Sequence, residues 1–320
     1  MPEMSVWIQK LGGRTGVGVI FGVSFLFFLL VTFPYEILKE SIANGLSRVT
    51  GMTITMDDFG AKFPVGFQAR GLSITSQGAK ARTMKLGVLS VRFNPLYLLT
   101  GKVGARAYIE NPDKSSMDVF VALPIGAMFG GEGVLPSRIK IDSEKFRIDD
   151  LAGFALASVA GGPGANPLLA PVLQGIGVTG KLDGTVDLSL SQSSPQDSSG
   201  SIKLKFVDAF LKLSDPSLGL PDQKFSRAAI EGSLGGGILN IDKASGFESE
   251  ELTLTAGGSV AVKSPLPASQ LQIDLLVKLQ KSLADKFGFL LDAFSGGMAR
   301  GGELRLQVKG PLSQPSTQPI

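Results

Sequence analysis

Met84-Lys-Leu-Gly-Val-Leu-Ser-Val-Arg-Phe93 is the stretch whose reading decides the fold. Apolar side chains stand at 84, 86 and 88, then at 89, 91 and 93, with polar residues or glycine between them. Alternation with period two sends successive side chains to opposite faces of an extended chain, so this is a strand with one buried face and one wet face. The change of phase between 88 and 89 turns the apolar set to the wrong side, and a bulge is the local device that accommodates it.

The same pattern spreads in both directions. Upstream, Thr53-Ile-Thr-Met56 alternates, and Phe59, Phe63, Val65, Phe67, Leu72 and Ile74 run through a stretch broken by Gly60, Pro64, Gly66 and Gly71, predicting a strand, a turn and a strand. Downstream, Asn94 to Gly101 reads as one helical turn, and strands follow at Val103 to Ile109 and Met117 to Leu123, joined by the turn Asn111-Pro-Asp113. Beyond a glycine-rich loop from Gly126 to Pro136, alternation resumes in Arg138 to Asp142 and Phe146 to Ile148. Asp149 and Asp150 then offer an N-cap to an apolar helix from Leu151 to Ala160. Loop and apolar turns are expected from Gly161 to Ile176, and a strand from Leu182 to Leu190.

The polar, low-complexity stretch at 191–200 is expected to be a loop, because alternation returns at once with Ile202, Leu204 and Phe206 between Lys203 and Lys205. Short strands at Ala229 to Leu234 and Ile238 to Ile241 flank Gly235-Gly-Gly237. Leu252 to Ala256 and Ser259 to Val262 flank Gly257-Gly258, a two-glycine hairpin signal. Gln270 to Lys278 is another strand, and Leu279, Leu283, Phe287, Leu290, Leu291 and Phe294 form one helical face closed by Gly296-Gly297. Glu303 to Lys309 is the last strand, and the tail at 311–320 is expected to be disordered.

These segments predict a mainly β protein: one long antiparallel sheet with a single apolar face and a few capping helices. The residues expected on that face are Ile54, Leu72, Ile74, Leu86, Val91, Phe93, Ile139, Ile141, Leu204, Phe206, Leu252, Leu254, Ile273, Leu304 and Leu306. It must be covered, either by folding onto itself as a sandwich or by curving into a half-pipe whose apolar interior is open to lipid.

Ahead of the sheet, the run from Thr15 to Tyr35 carries no charge. At a rise of about 1.5 Å per residue it matches a hydrocarbon core of roughly 30 Å, so a transmembrane anchor is expected over 15–35. Gly18, Gly22, Phe25, Phe27, Phe28, Leu29 and Leu30 lie in it, and Gly18-x-x-x-Gly22 suits the close approach of another helix. The run ends in Val31-Thr-Phe-Pro-Tyr35, without the small-x-small site of a cleaved signal peptide. Residues 1–14 are placed in the cytoplasm and 36–310 in the bacterial periplasm. Ile37, Leu38, Ile42, Leu46 and Val49, between Pro34 and Gly51, predict an amphipathic helix that either caps the core or lies among lipid headgroups.

Composition narrows the chemistry. The chain of 320 residues has no cysteine and no histidine, which removes thiol nucleophiles, thiolate metal sites and every histidine-dependent triad. A net charge of +3 with interspersed signs, and no basic block, points away from nucleic acid. Asp58-Phe-Gly60 lacks the loops that accompany a kinase metal turn, and Gly175 to Lys181 has Walker-A spacing but Leu182 where a hydroxyl belongs. Ser137 and Lys140 fall on opposite faces of a strand, and the Asp57-Asp58 and Asp149-Asp150 pairs read as turn and cap residues. No catalytic residue, cofactor or metal is expected.

Several segments carry a family likeness. Pro34-Tyr-Glu-Ile-Leu38, Val49-Thr-Gly51, Ile54-x-Met56 and Gly71-Leu-Ser-Ile74 resemble the opening of AsmA-like proteins, and Val91-Arg-Phe-Asn-Pro-Leu-Tyr-Leu-Leu-Thr-Gly-Lys102 resembles their strand and following turn. Gly180-Lys-Leu-Asp-Gly184, Gly257-Gly-Ser-Val-Ala-Val262, Pro267-Ala-Ser-Gln-Leu271 and Val308-Lys-Gly-Pro-Leu-Ser-Gln-Pro315 resemble the type II secretion system protein N family within that superfamily. The resemblance implies a single-pass inner-membrane accessory of type II protein secretion, without catalysis, whose partners are other inner-membrane secretion proteins. It also implies a curved apolar groove that, in AsmA-like relatives, is proposed to shelter phospholipid.

Overall fold

The computed structural model describes residues 39–44, 47, 52–62, 65–76, 82–126, 135–161, 175–191, 193–213, 222–280, 283–285 and 302–320. The alternating segments become β1 (Thr53–Thr55), β2 (Asp58–Ala61), β3 (Gly66–Thr75), β4 (Thr83–Asn94), β5 (Lys102–Glu110), β6 (Ser116–Pro124), β7 (Arg138–Arg147) and β8 (Ile176–Ser189). They continue as β9 (Ser199–Leu213), β10 (Gln223–Lys224), β11 (Arg227–Gly235), β12 (Ile238–Glu248), β13 (Leu252–Ala261), β14 (Gln270–Leu279), β15 (Glu303–Pro311) and β16 (Ser316–Pro319).

All of these strands join one antiparallel sheet. Its order follows the chain from β3 to β9 and again from β11 to β16, with β1 and β2 both on β3, and β10 and β11 both on β9. The path begins at β1 and ends at β16 without closing, so the protein is mainly β with an open sheet. Hairpin connections explain the topology, since each short turn returns the chain beside the strand it has just left. One such turn is the hairpin at Gly236 and Gly237, whose φ values of 60° and 77° suit glycine.

The sheet is jointed where the alternation breaks. In β3 and β4 the apolar phase reverses together: Arg70 faces Val88 and Leu72 faces Leu86, so register is unbroken across the Gly71 and Gly87 level. The bulge expected in β4 alone is therefore a joint shared by two strands. Gly71 has φ of 59° and a Cβ there would run into the Asp57 side chain, so this joint needs glycine. Other joints shift register between Ser143 and Phe146 of β7, between Thr179 and Lys181 of β8, and between Ala229 and Gly232 of β11.

Buried serines repair the ladder there. Ser245 Oγ accepts from Glu231 N at 2.9 Å and donates to Glu231 O at 3.0 Å, and Ser143 Oγ donates to Leu182 O at 2.9 Å. Each hydroxyl stands in for a backbone partner that the register shift has moved away.

The helix α1 (Asp149–Gly161) packs against β4 and β8. Its first-turn carboxylates reach outward to strands: Asp149 Oδ1 accepts from Gly180 N at 3.0 Å, and Asp150 Oδ2 from Lys85 N at 3.3 Å. The Arg82 guanidinium, just before β4, donates to the Ile176 carbonyl of β8 at 3.1 Å, passing over Gly153 of α1. β4 and β8 are four strand positions apart, which in a flat sheet is about 19 Å at about 4.8 Å per strand. An arginine cannot bridge that distance, so the sheet bends at this edge.

Several expectations are corrected. Gly257 and Gly258 are not a hairpin turn; they lie inside β13, which runs unbroken from Leu252 to Ala261. Gly258 has φ of 140° and a Cβ there would overlap the carbonyl oxygen of Gln272, so glycine serves close strand approach rather than chain reversal. The terminal residues expected to be disordered form β16, because the free edge of β15 offers unpaired backbone groups that Ser316 to Pro319 fill. Leu279 ends β14 instead of opening a helix, although 283–285 beyond it are helical. The polar stretch at 191–200 is a connection between paired strands, turning through Pro195–Asp197.

Residues 39–44 and 47 are helical, as expected of the helix leading into the sheet. Ser47 Oγ accepts from Ile54 N at 3.1 Å and Lys39 Nζ donates to Asp57 O at 3.2 Å, so the helix lies against β1 and its sequel. The anchor expected over 15–35 lies outside the described residues, as do 286–301. Among the described residues no helix is long and apolar enough to cross a membrane.

Candidate functional site

The feature with the greatest extent is the apolar face. Ile54, Leu72, Ile74, Leu86 and Phe206 belong to one packed cluster with Phe146, Ile148 and Leu182, at the edge where α1 sits. Val91 and Phe93 continue the side of β4 that carries Leu89, a member of that cluster, and Phe93 stacks on Phe67 at 6.4 Å. Ile139 packs with Leu135, Leu188 and Leu190, and Ile141 faces the buried Val186. Leu204 lies across from Ile230 of β11. Leu252 and Leu254 adjoin Phe247, with Leu254 directly opposite it. Leu304 and Leu306 lie across from Val277 and Leu275. Ile273 lies across from Gly258, on the side of β14 that also carries Leu275 and Val277.

In the second half this side stays partly open. Ile230, Ile241, Phe247, Leu254, Ile273 and Leu275 line a hollow of about 380 Å³ whose surface is almost wholly carbon. Phe247 anchors one wall, with ring centroids 5.3 Å from Phe206 and 5.5 Å from Phe225. The volume falls in the range of small-molecule pockets, about 300–1,000 Å³, and the lining suits an aliphatic chain. Sequence periodicity gives the identity of these side chains; it does not show the register shifts on both sides of β12, which lie beside the hollow.

The opposite face is polar and carries dispersed ion pairs. Arg106 pairs with Asp118 at 3.0 Å, Arg138 with Asp187 at 3.0 Å, Lys140 with Asp142 at 2.8 Å and Arg305 with Glu303 at 2.8 Å. The Asp187 carboxylate hydrogen-bonds Arg138 and raises its pKa further. The Lys114 hydrogen bond lowers the pKa of Glu110, and the Ser115 hydroxyl lowers that of Asp113, against desolvation in each case. Exposed pairs of this kind contribute little to stability. Among the described residues no group of three or more carboxylates gathers as a metal site would require.

The motifs set aside from sequence fall in structural places. Asp58 to Gly60 is part of β2, and residues 176 to 181 are the start of β8. Ser137 Oγ donates to the Ala122 carbonyl at 3.1 Å while Lys140 pairs with Asp142, so each side chain has a partner other than the second. The anchor residues Gly18, Gly22, Phe25, Phe27, Phe28, Leu29 and Leu30 lie outside the described residues.

No protein-family model, curated protein or solved structure matches the chain. What can be said of its chemistry therefore comes from the residues themselves. Sequence reading missed the buried hydroxyls: Ser198, Ser245 and Ser269 are at most 2% exposed, each engaged with backbone. Ser245 adjoins a register shift in β12, whereas Ser198 and Ser269 close the 3-10 turns Pro195–Asp197 and Leu266–Ala268.

Proposed function

We propose that the chain is an inner-membrane-anchored, periplasmic accessory of type II protein secretion, with a structural and interaction role and no catalysis. The observation that carries this reading is the single antiparallel sheet running the length of the described chain, with one apolar side and dispersed ion pairs on the other. Such a body is a scaffold, and the motifs resembling the protein N family occupy its joints and turns. Gly180 and Gly184 adjoin the β8 shifts, Gly257 and Gly258 lie at the tight β13 crossing, and 308–315 lead from β15 to β16. The AsmA-like half-pipe is the finer form of this fold that fits the bend between β4 and β8.

In-frame deletion tests the reading. Release of folded exoproteins should fall, with the cargo accumulating in the periplasm, and the full chain should co-purify with inner-membrane secretion proteins. Unchanged release in the deletion strain overturns it.

A second reading, an envelope protein that shelters phospholipid acyl chains, is favoured by one observation, the carbon-lined hollow beside Phe247. A photoreactive side chain at Leu275 should capture phospholipid in cells, whereas the same group at Gln272, which alternation places on the polar side, should not. Equal capture at both positions counts against it.

A further inference from the structure

The turn between β4 and β5 displays leucines that the fold does not use. Pro95–Thr100 is a 3-10 turn held at both ends: Asn94 Oδ1 accepts from Leu96 N at 3.1 Å, and the Gly101 N–H, at φ of 70°, closes onto Leu98 O at 3.1 Å. Thr100 Oγ1 donates to Tyr97 O at 2.8 Å, and the Tyr97 ring packs on Phe120 with centroids 5.4 Å apart, against the bare backbone of Gly104. Tyr97 thus nails the turn to the sheet while its neighbours point away. Leu96 is 69%, Leu98 52% and Leu99 85% exposed. A connection needs none of this; polar residues would cap and reverse the chain equally well. Val65 and Phe93, also exposed, flank it on the same edge of the sheet.

The charge beside the turn completes the picture. Lys102 follows it directly, and among the described residues it has no ion pair. Lys62 and Arg92 stand near the strand ends beside it, whereas Arg138, two strands further on, is held by Asp187. A convex tip of a few leucines is far smaller than the roughly 800 Å² per partner of a stable protein interface. Leucine tips flanked by basic side chains match an anionic bilayer, where carbon enters the acyl region and cationic groups meet phosphate. We infer that the Pro95–Thr100 turn, with Lys102, is a lipid-surface contact that inserts Leu96, Leu98 and Leu99 into an anionic membrane. This holds the sheet against the bilayer at a point separate from the N-terminal run, and it depends on neither the secretion role nor the apolar hollow.

The absence of cysteine makes a direct test available. The full chain is prepared as Leu99→Cys, as Leu96→Cys and, on the opposite edge, as Lys114→Cys. Each is labelled with nitrobenzoxadiazole and reconstituted into vesicles of phosphatidylethanolamine and phosphatidylglycerol. Labels at 99 and 96 should shift to the blue and lose intensity when brominated lipids are included, and the label at 114 should do neither. Lys102→Glu in the Leu99→Cys chain should reverse the shift. An aqueous spectrum at 99 and 96 overturns the inference. So does a blue shift that brominated lipid leaves untouched, which assigns the turn to a second copy or to another segment of the chain. Exoprotein release is unaffected by these labels as evidence, so failure here is distinct from failure of the secretion role.

Discussion

Replacing Gly258 asks whether the middle of β13 is a strand or a turn. Gly258 faces Ile241 on one side and Ile273 on the other, at φ of 140°. An alanine there accepts a backbone conformation costing about 1–3 kcal/mol. Its Cβ would also overlap the Gln272 carbonyl oxygen, and moving that group aside weakens a ladder hydrogen bond worth about 1 kcal/mol. The sum, about 2–4 kcal/mol, divided by a urea dependence of about 3 kcal/mol per molar, lowers the unfolding midpoint by about 1 M. Urea unfolding of the purified full chain, followed by circular dichroism, reads this directly. Gly235→Ala is the control, since a Cβ there meets nothing within 4 Å and the change should stay within about 0.5 kcal/mol. The decisive variant is Gly258→Asn. Asparagine is welcome in a two-residue hairpin turn and unwelcome at this crossing, so it should be as damaging as alanine. Gly258→Asn with the stability of Gly235→Ala would refute the assignment.

Three further outcomes are expected. Ser245→Ala removes both hydrogen bonds to Glu231 and should cost about 1–3 kcal/mol, with faster amide exchange at Glu231, whereas Ser233→Ala on the wet side should be near neutral. Leu304→Ala, at a side chain only 4% exposed, should cost about 2–5 kcal/mol by the same urea assay. Asp113 has a pKa lowered in the folded chain, so its stabilising contribution is complete above the unfolded carboxyl range near about pH 4 and fades as pH falls through the lower folded value. Asp113→Asn should therefore be less stable than the parent at neutral pH, and the two midpoints should converge below that range.

The parts of the fold that were legible in the sequence are those decided by parity. Ile54, Leu86, Ile141, Leu254 and Leu306 are far apart in the chain, yet each could be assigned to the apolar side because alternation within a strand is local. The turn at Gly236 and Gly237 was legible for the same reason. What a strand meets is not local. Gly257-Gly258 looks identical whether the chain reverses or another backbone crosses closely, and only the Gln272 carbonyl distinguishes them. Pro315 to Pro319 looks like a solvated tail until β15 presents a bare edge. Ser245 looks like a surface residue until register loss at Ala229 and Gly232 leaves Glu231 in need of a partner. The hollow was hidden likewise, since alternation tells that a strand has an apolar side and not what covers it.

Several of these misreadings lie at breaks in the ladder. Phase or register breaks recur along the sheet: Gly71 beside Gly87, Ser143 to Phe146 against Leu182 and Gly184, and Thr179 to Lys181 against Val207 and Phe210. They continue with Ala229 to Gly232 against Ile241 and Gly246, and Ile241 to Ser245 against Ala256 and Gly258. A bulge bends its strand and increases local twist, so joints repeated in neighbouring strands turn the sheet as a whole. The bend that brings Arg82 to Ile176 lies among the first of them, and the hollow beside Phe247 among the last. The irregular positions are thus where an otherwise uniform sheet acquires its shape. Substituting them should alter the apolar side more than substituting any of the leucines that line it, because the leucines fill a form that glycine and serine set.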